Sequence, residues 1–254
     1  MRFASLGSGS AGNALLVQAG RTTVMVDCGF GLREATARCG RAGIEPESIG
    51  AIVVTHEHGD HVGGVARFAR RFGIPVWLTF GTLAATSSRW DGCIVRNFDS
   101  HESFVIDDIQ VQPFPVPHDA REPAQLVLSD GARRVGVLTD VGDTTPIIEA
   151  ALAGCDALFL EANHCEAMLS GSSYPAALKA RIAGRYGHLC NRMAAALLAR
   201  LAHPRLQHVV AAHLSRENNR PDLVREAFAQ ALATDPGDIV VASQDEGCDW
   251  RMLR

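Results

Sequence analysis

The stretch of sequence that decides the fold follows a short apolar run and reads Thr55-His56-Glu57-His58-Gly59-Asp60-His61. It places three histidines and an aspartate within six residues, shortly after the apolar residues 51–54. His56 and His58 are two positions apart, so on an extended segment both rings project to the same side. Asp60 and His61 follow at a turn, where the chain can aim them at a neighbouring point. Imidazole and carboxylate ligands without thiolate indicate a catalytic first-row metal site with open positions.

A solvated histidine-rich turn before a helix is the alternative interpretation of this stretch. The later chain argues against it, because further candidate groups stand at the ends of predicted strands, namely His118, Asp140, Glu161 and His213. Taken alone, each of these residues is more typical of a turn residue whose side chain forms local hydrogen bonds. Their order after the first motif favours a two-metal hydrolase, which needs ligands gathered on adjoining strand ends.

Composition and cysteine usage predict the class of protein. Hydrophobic residues make up 47% and charged residues 20% of the 254 residues, as in a soluble globular protein. No apolar run approaches the roughly 18–20 residues that span a bilayer, and the first residues lack the apolar core of a signal peptide. Seven cysteines without a C-x-x-C pair indicate reduced thiols. We therefore expect a cytoplasmic protein that does not interact with membranes.

The charge balance weighs against one class of nucleic-acid partner. The net charge is −4, so no global basic field draws the protein to DNA or RNA. This disfavours a non-catalytic DNA-binding module. It does not exclude a nuclease, because bound divalent metals supply positive charge where the phosphate sits.

The apolar pattern predicts strands in the first half of the chain and alternating helices and strands in the second. The predicted strands cover residues 2–6, 14–18, 22–27, 51–55, 74–79, 104–106, 109–111, 125–128, 135–140, 156–161, 207–212 and 239–242. The predicted helices cover residues 31–42, 61–72, 80–87, 144–152, 175–183, 191–202 and 221–232. Two sheets packed face to face with helices outside account for both halves. No linker or repeat interrupts the pattern, so we expect a single domain over residues 1–254.

Two segments near the N-terminus are candidates for supporting the site. The glycine-rich residues 7–13 form either a plain hairpin turn or a loop that approaches the site closely, with Asn13 or a serine as hydrogen-bond donor. Asp27 ends an apolar strand. Its carboxylate either orients a ligand histidine from behind or caps a turn.

With these motifs in place, the sequence resembles the metallo-β-lactamase superfamily over nearly its whole length. The resemblance implies an αββα sandwich, in which two mixed β-sheets carry helices on their outer faces and the site lies at one edge between the sheets. It also implies the ligands of two metal ions: His56, His58 and His118 for the first, Asp60, His61 and His213 for the second, and Asp140 bridging both.

Four motifs look like the YycJ (WalJ) branch of that superfamily, whose members are described as metal-dependent nucleases with 5′-to-3′ exonuclease activity on DNA. The motifs are residues 7–13, 160–164, 187–191 and 213–219. Within them the candidate substrate contacts are His164, Asn191 and Ser215. A buried hydrogen-bonding role is an equal alternative for His164. The branch usually has serine where this chain has Cys190. This departure weakens the assignment of the adjacent Asn191 as a substrate contact.

A second resemblance, to the tRNA-processing ribonuclease Z, bears on mechanism. Glu161, Gly187-His188 and His213-Leu214-Ser215 are similar in order to motifs of that enzyme, where a glutamate and a non-ligand histidine form a dyad at the scissile phosphate. Carried over, His188 contacts the phosphate or protonates the leaving oxygen, and Glu161 orients it. The alternative for His188 is a plain helix N-terminal residue. Asp60 is the third residue to which we assign a catalytic role.

The predicted function is a binuclear metal-dependent phosphodiesterase, with nucleic acid as substrate and DNA favoured over RNA. Two divalent ions (zinc or manganese, with iron also suited to the ligands) would lower the pKa of a water toward neutrality and provide a metal-bound hydroxide as nucleophile. Only 73 positions separate Asp140 from His213, which leaves no room for a large inserted domain.

Several alternatives to a DNA exonuclease stay open. They are a hydrolase of a small ester, thioester, lactam or cyclic phosphodiester, an RNA-processing enzyme like ribonuclease Z, and a non-hydrolytic metal or redox-sensing protein. No long Gly/Pro-rich arm suited to gripping tRNA is present, which lowers the case for tRNA processing. The Glu161–His188 pair favours phosphodiesters over the other substrates.

Overall fold

Two seven-stranded β-sheets form the centre of the molecule in a computed structural model that describes all 254 residues. The strands of the first sheet are β1 (Arg2–Gly7), β2 (Ala14–Ala19), β3 (Thr22–Val26), β4 (Ala51–Val53), β5 (Val76–Leu78), β6 (Val95–Asn97) and β14 (Cys248–Met252). Those of the second are β7 (Phe104–Ile106), β8 (Ile109–Pro115), β9 (Ala124–Ser129), β10 (Arg134–Leu138), β11 (Ala157–Glu161), β12 (His208–Ala212) and β13 (Val240–Val241).

Both sheets are mixed in the same way. The first has the order β14-β1-β2-β3-β4-β5-β6 and the second β13-β12-β11-β10-β9-β8-β7. Short turns join β1, β2 and β3 into antiparallel neighbours, whereas β3 to β6 run parallel. Strands β7 to β10 are antiparallel and β10 to β13 are parallel. Each sheet therefore presents the carboxyl ends of several parallel strands along one edge.

Nine α-helices accompany the two sheets. They are α1 (Leu32–Arg41), α2 (Gly59–Val62), α3 (Val65–Phe72), α4 (Phe80–Ala85), α5 (Pro146–Leu152), α6 (Glu166–Gly171), α7 (Ala176–Ile182), α8 (Asn191–Leu201) and α9 (Pro221–Leu232). Short 3₁₀ turns lie at Pro46–Ser48, Ser87–Arg89 and Pro236–Asp238. None of the nine combines the length and the apolar character needed to cross a membrane.

Three apolar clusters define the layers. Alternate residues of a strand face opposite sides of its sheet, and here both sides are buried. Val17 of β2 packs between the sheets with Leu126 and Phe159, while its neighbour Leu16 packs outward with Phe68 of α3. A third cluster joins the outer face of the second sheet to α5, α8 and α9. The layers confirm the predicted αββα sandwich.

The predicted helix over residues 61–72 is wrong as a single element, because it is two helices separated at Gly63 and Gly64. A Cβ on Gly64 would lie 1.7 Å from the carbonyl oxygen of Phe30. The bare glycine backbone lets α3 pack directly on the loop after β3. The apolar pattern also missed β6, β14 and α6, because these short elements contain at most one buried residue each.

Candidate metal centre

The candidate centre lies where strands of both sheets end. Asp27, His56, Asp140 and His213 each follow the last residues of a strand, and Glu161 is the last residue of β11. Asp27, Asp140 and His213 have φ values of 60°, 54° and 54°, and are three of the five non-glycine residues with positive φ. This left-handed conformation costs energy for residues other than glycine, and it concentrates at functional sites. It turns the chain sharply where each strand stops.

The first cluster consists of three histidines. Ligand atoms of His56, His58 and His118 all lie within 4.8 Å of one another. Nδ1 of His56 donates to Oγ1 of Thr55 at 3.0 Å, and Nδ1 of His118 donates to the carbonyl oxygen of Gly187 at 3.1 Å. These bonds fix both rings and leave their Nε2 atoms for the centre. His58 turns the other way, with Nδ1 3.2 Å from Nε2 of His118.

The second cluster contains Asp60, His61, Asp140 and His213, again with ligand atoms within 4.8 Å. Nε2 of His61 is 2.7 Å from Oδ2 of Asp140, and Nε2 of His213 is 3.4 Å from Oδ2 of Asp60. The other oxygen of Asp140, Oδ1, lies 3.8 Å from Nε2 of His118 in the first cluster. The carboxylate of Asp140 therefore lies between the two clusters.

Asp27 supports His61 from behind. Oδ2 of Asp27 accepts a hydrogen bond from Nδ1 of His61 at 2.8 Å. The same carboxylate accepts from the backbone N–H of Thr55 and from its hydroxyl, both at 2.8 Å. Since Thr55 in turn orients His56, the buried carboxylate of Asp27 ties one ligand of each cluster to the end of β3.

The glycine-rich loop between β1 and β2 also reaches the centre. Nδ2 of Asn13 lies 3.0 Å from Nε2 of His61 and 3.3 Å from Oδ2 of Asp60. Oγ of Ser8 accepts from the backbone N–H of His213 at 2.8 Å. Of the two interpretations of this loop, the structure therefore favours the one in which it approaches the site.

Glu161 is the hydrogen-bonding hub of the second sheet. Its Oε1 accepts from Nδ1 of His188 at 2.8 Å and from Nδ1 of His213 at 3.2 Å. Its Oε2 accepts from the backbone N–H groups of Val141 and Leu189, at 3.0 and 3.3 Å. The sequence predicted the contact with His188 alone. The register of β11 beside β12, which brings His213 to the same carboxylate, is not visible in the sequence.

The charged groups of the centre are carboxylates and histidines. Within 4 Å, Asp60, Asp140 and Glu161 meet only histidines as cationic partners. Burial alone would lower the pKa of His213, but Asp140, Asp60 and Glu161 raise it to about 10. Burial would raise the pKa of Glu161, but His188 and His213 lower it to about 2. The pocket thus favours a positive charge at its centre.

Three ligand atoms are buried without a well-formed hydrogen bond: Nε2 of His56, Nε2 of His213, and Oδ2 of Asp140, which faces Nε2 of His61, whose other nitrogen donates to Asp27. Buried polar atoms are normally satisfied, and leaving one unpaired costs free energy. All three belong to the two clusters. Imidazole nitrogens and carboxylate oxygens are suitable ligands for divalent first-row metals. The residues present therefore fit a divalent metal centre.

The three candidate substrate contacts lie beside the clusters and not within them. His164 is buried, and its Nδ1 has no partner. Oγ of Ser215 accepts from the backbone N–H of Asn218 at 3.1 Å. The amides of Asn191 and Asn219 exchange two hydrogen bonds, at 2.9 and 2.8 Å. The amide of Asn191 is thus already engaged by a buried neighbour.

Asp119 is a residue at the centre that the sequence prediction missed. Its Oδ1 lies 3.5 Å from Nε2 of His118 and 3.8 Å from Nε2 of His58, and its Oδ2 accepts from Nε of Arg181 at 2.6 Å. Partial burial opposes the ionisation of this carboxylate, but Arg181 lowers its pKa. The sequence feature that could have identified Asp119 is its position directly after the candidate ligand His118.

Comparisons with known proteins show which family the chain resembles. The Beta-lactamase superfamily domain matches residues 22–213. Exodeoxyribonuclease YycJ of Bacillus anthracis is 31% identical over 242 residues, covering 91% of this chain and 89% of the relative. Exodeoxyribonuclease WalJ of Streptococcus pneumoniae serotype 2 is 30% identical over 237 residues, covering 91% and 88%.

Solved structures share the architecture. The metallo-β-lactamase fold protein YhfI from Bacillus subtilis superposes with a TM-score of 0.76 at 14% identity, over 98% of each chain. Identity this low shows the fold alone. Together with the domain match and the two bacterial relatives, it leads to one conclusion: this chain belongs to the metallo-β-lactamase superfamily.

Proposed function

We propose that the protein is a metal-dependent nuclease that degrades DNA from the 5′ end. The observation that carries this proposal is the Glu161–His188 pair beside the metal clusters. Nδ1 of His188 lies 3.5 Å from Oδ1 of Asp140, and its ring is 22% exposed, so it can meet a substrate held at the centre. The names of both bacterial relatives, exodeoxyribonucleases, support DNA as the substrate.

Two divalent ions, zinc or manganese, complete the proposal. The cluster of His56, His58 and His118 would hold one ion. The other cluster would hold the second, with Asp140 shared between them. The chemistry supplied by bound divalent ions is Lewis-acid polarisation of the phosphoryl oxygens and activation of water at neutral pH.

His188 acts as the proton donor in this proposal. Its Nδ1–H is held by Glu161 at 2.8 Å, which orients the ring and keeps Nε2 free. Burial would lower the pKa of His188, but Glu161 and Asp140 raise it. In this proposal a protonated His188 presents its Nε2–H to the leaving oxygen and passes that proton to it as the phosphodiester breaks.

Asp60 is the ligand carboxylate that meets water. Its side chain is 21% exposed, against 3% for Asp140. A carboxylate in this position can accept a hydrogen bond from the attacking water and orient it toward phosphorus. We assign Asp60 this role in addition to metal binding.

The whole chain works as one domain in this proposal, because each sheet contributes ligands to the centre and both share one apolar core. We place the reaction in the cytoplasm as part of the same proposal. All seven cysteines are free thiols, and reduced thiols are the rule in that compartment.

Digestion of end-labelled DNA and RNA, single- and double-stranded, by protein loaded with zinc, manganese or iron tests the proposal. We expect nucleotides to be released from the 5′ end of DNA, and His58→Ala to lose both metal and activity. His101→Ala is the matched control, because the side chain of His101 is 70% exposed and belongs to neither cluster. Faster cleavage of nitrocefin or of a glutathione thioester than of any nucleic acid would contradict the proposal.

A further inference from the structure

The basic residues of this acidic protein are unevenly distributed. Its net charge is −4, yet residues 167–216 contain seven basic side chains and no aspartate or glutamate. This basic segment includes α7, α8 and β12, and it carries both His188 and His213. Four of the seven form ion pairs with carboxylates elsewhere in the chain, which leaves Lys179, Arg185 and Arg205 without an ion pair.

Residues 186 and 187 of the basic segment are hydrogen-bonded to the loop that carries His118. The backbone N–H of Asp119 donates to the carbonyl oxygen of Tyr186 at 3.1 Å. The carbonyl oxygen of Gly187 accepts from Nδ1 of His118, also at 3.1 Å. The backbone of Tyr186 is therefore held in place. Tyr186 directly precedes Gly187, whose carbonyl oxygen contacts His118, and lies two residues before His188.

The same part packs against the loop that carries Asp140. A Cβ on Gly142 would lie 2.3 Å from the carbonyl oxygen of Arg185 and 2.5 Å from the backbone nitrogen of Gly187. The backbone N–H of Gly142 donates to the carbonyl oxygen of Pro117 at 2.9 Å. Two loops of the centre thus hold the backbone of residues 185–187 rigidly.

Although the backbone of residues 185–187 packs against these loops, the side chains of Arg185 and Tyr186 are exposed to solvent. The ring of Tyr186 is 57% exposed, which makes it one of six large hydrophobic side chains left open to solvent. Arg185 is exposed and has no ion pair or side-chain hydrogen bond. Its basic neighbours are occupied, since Arg181 pairs with Asp119 and Lys179 donates to the carbonyl oxygen of Ser170. An exposed aromatic ring beside a free guanidinium is the combination that binds single-stranded nucleic acid.

We propose that Tyr186 and Arg185 form a nucleotide-binding subsite at the rim of the metal centre. The ring of Tyr186 stacks on the base next to the scissile phosphate, and Arg185 contacts a backbone phosphate of the same strand. The inference rests on the proposed nuclease function. It adds the form of DNA that the enzyme binds, which is a DNA end with an unpaired, unstacked base. A paired base would have to leave its neighbour in the duplex before it could reach the ring.

Binding of a non-hydrolysable strand by the metal-loaded enzyme tests the stacking contact. The probe is a fluorescent single-stranded oligonucleotide with methylenephosphonate linkages at its 5′ end, used with and without an abasic site at the base next to the reacting linkage. Tyr186→Ala should weaken binding of the intact probe about five- to a hundredfold, the range for losing one stacked base. The wild type should bind the abasic probe more weakly than the intact probe by the same factor. Tyr186→Ala should bind the two probes equally well. Tyr186→Trp should bind like the wild type.

The salt dependence of binding tests the phosphate contact. Arg185→Ala should reduce the slope of log affinity against log salt concentration by about 0.7, as expected when one contact to a single strand is lost. Arg205→Ala is the matched control. Arg205 is exposed and lies in the same basic segment, but it precedes β12, whereas His213 follows that strand. Its removal should leave the slope unchanged.

The outcomes separate this inference from the function on which it rests. If the wild type cleaves DNA but an abasic site costs the wild type and Tyr186→Ala the same factor, the stacking subsite is wrong and the nuclease proposal stands. Loss of bound metal in Tyr186→Ala, measured by elemental analysis, would also overturn it, since the ring would then support the loops. If the metal-loaded wild type neither binds nor cleaves DNA, both proposals are wrong.

Discussion

His188 and Glu161 form a pair in which the carboxylate is buried and the imidazole is 22% exposed. We predict that His188→Ala keeps its metal and loses about 10²–10⁴-fold of its turnover on DNA, as expected for a lost proton donor. The loss should be much smaller on bis(p-nitrophenyl) phosphate, because nitrophenolate leaves without a proton. Steady-state kinetics on both substrates and elemental analysis check this. An equal loss on the two substrates would exclude proton donation by His188.

At the residue scale, the sequence was most informative about the candidate metal ligands. Seven side chains were predicted, and the structure brings all seven into two adjoining clusters. Their residue types are restrictive, because few side chains other than histidine and aspartate ligate metals without thiolate. Supporting contacts such as Gly187 to His118 were not predicted. A backbone carbonyl oxygen is available at every residue, so its partner depends on the fold alone.

At the scale of elements, Gly142 sets the distance between the loop after β10 and the segment that carries His188. We predict that Gly142→Ala destabilises the protein by about 1–3 kcal/mol, the usual cost of overpacking. DNA turnover should fall as well, because the added methyl group would push His188 away from Asp140. The free energy of unfolding in urea and the kinetics on DNA measure both effects.

Gly40 provides the control for this substitution. It lies in α1, and a Cβ there would meet no atom within 4 Å. Gly40→Ala should therefore leave turnover unchanged and stabilise the protein by up to about 1 kcal/mol through helix propensity. Equal unfolding energies for the two variants would show that the contact between Gly142 and Arg185 is not tight.

Element boundaries were predicted well where buried strands alternate with long helices and poorly elsewhere. Strands β10, β11 and β12 are apolar apart from one terminal residue each, because helices and the other sheet cover both of their faces. The break between α2 and α3 was missed. It results from close packing of Gly64 against Phe30, a contact between segments far apart in the chain.

At the scale of the whole molecule, the candidate metal centre links the two sheets. His56 and His58 follow β4 of the first sheet, while Asp140 and His213 follow β10 and β12 of the second. Metal binding should therefore stabilise the fold, by about 2.7 kcal/mol when the free metal is at a hundred times its dissociation constant. Thermal unfolding in EDTA and in a zinc or manganese series measures the effect. His58→Ala should lose most of the increment and His101→Ala should keep it. A melting temperature of the wild type that is independent of metal would contradict this prediction.

The sequence by itself determined the class of site and the class of fold. Ligand type and spacing are local properties, and so is the apolar run that buries a strand, which is why both are readable without coordinates. Only the tertiary structure decided that Glu161 serves His213 as well as His188, and that Tyr186 stands beside the centre. These depend on strand register and on close contacts at glycines, where segments far apart in the chain meet. Such contacts arise only when the complete chain packs, because no single segment specifies them.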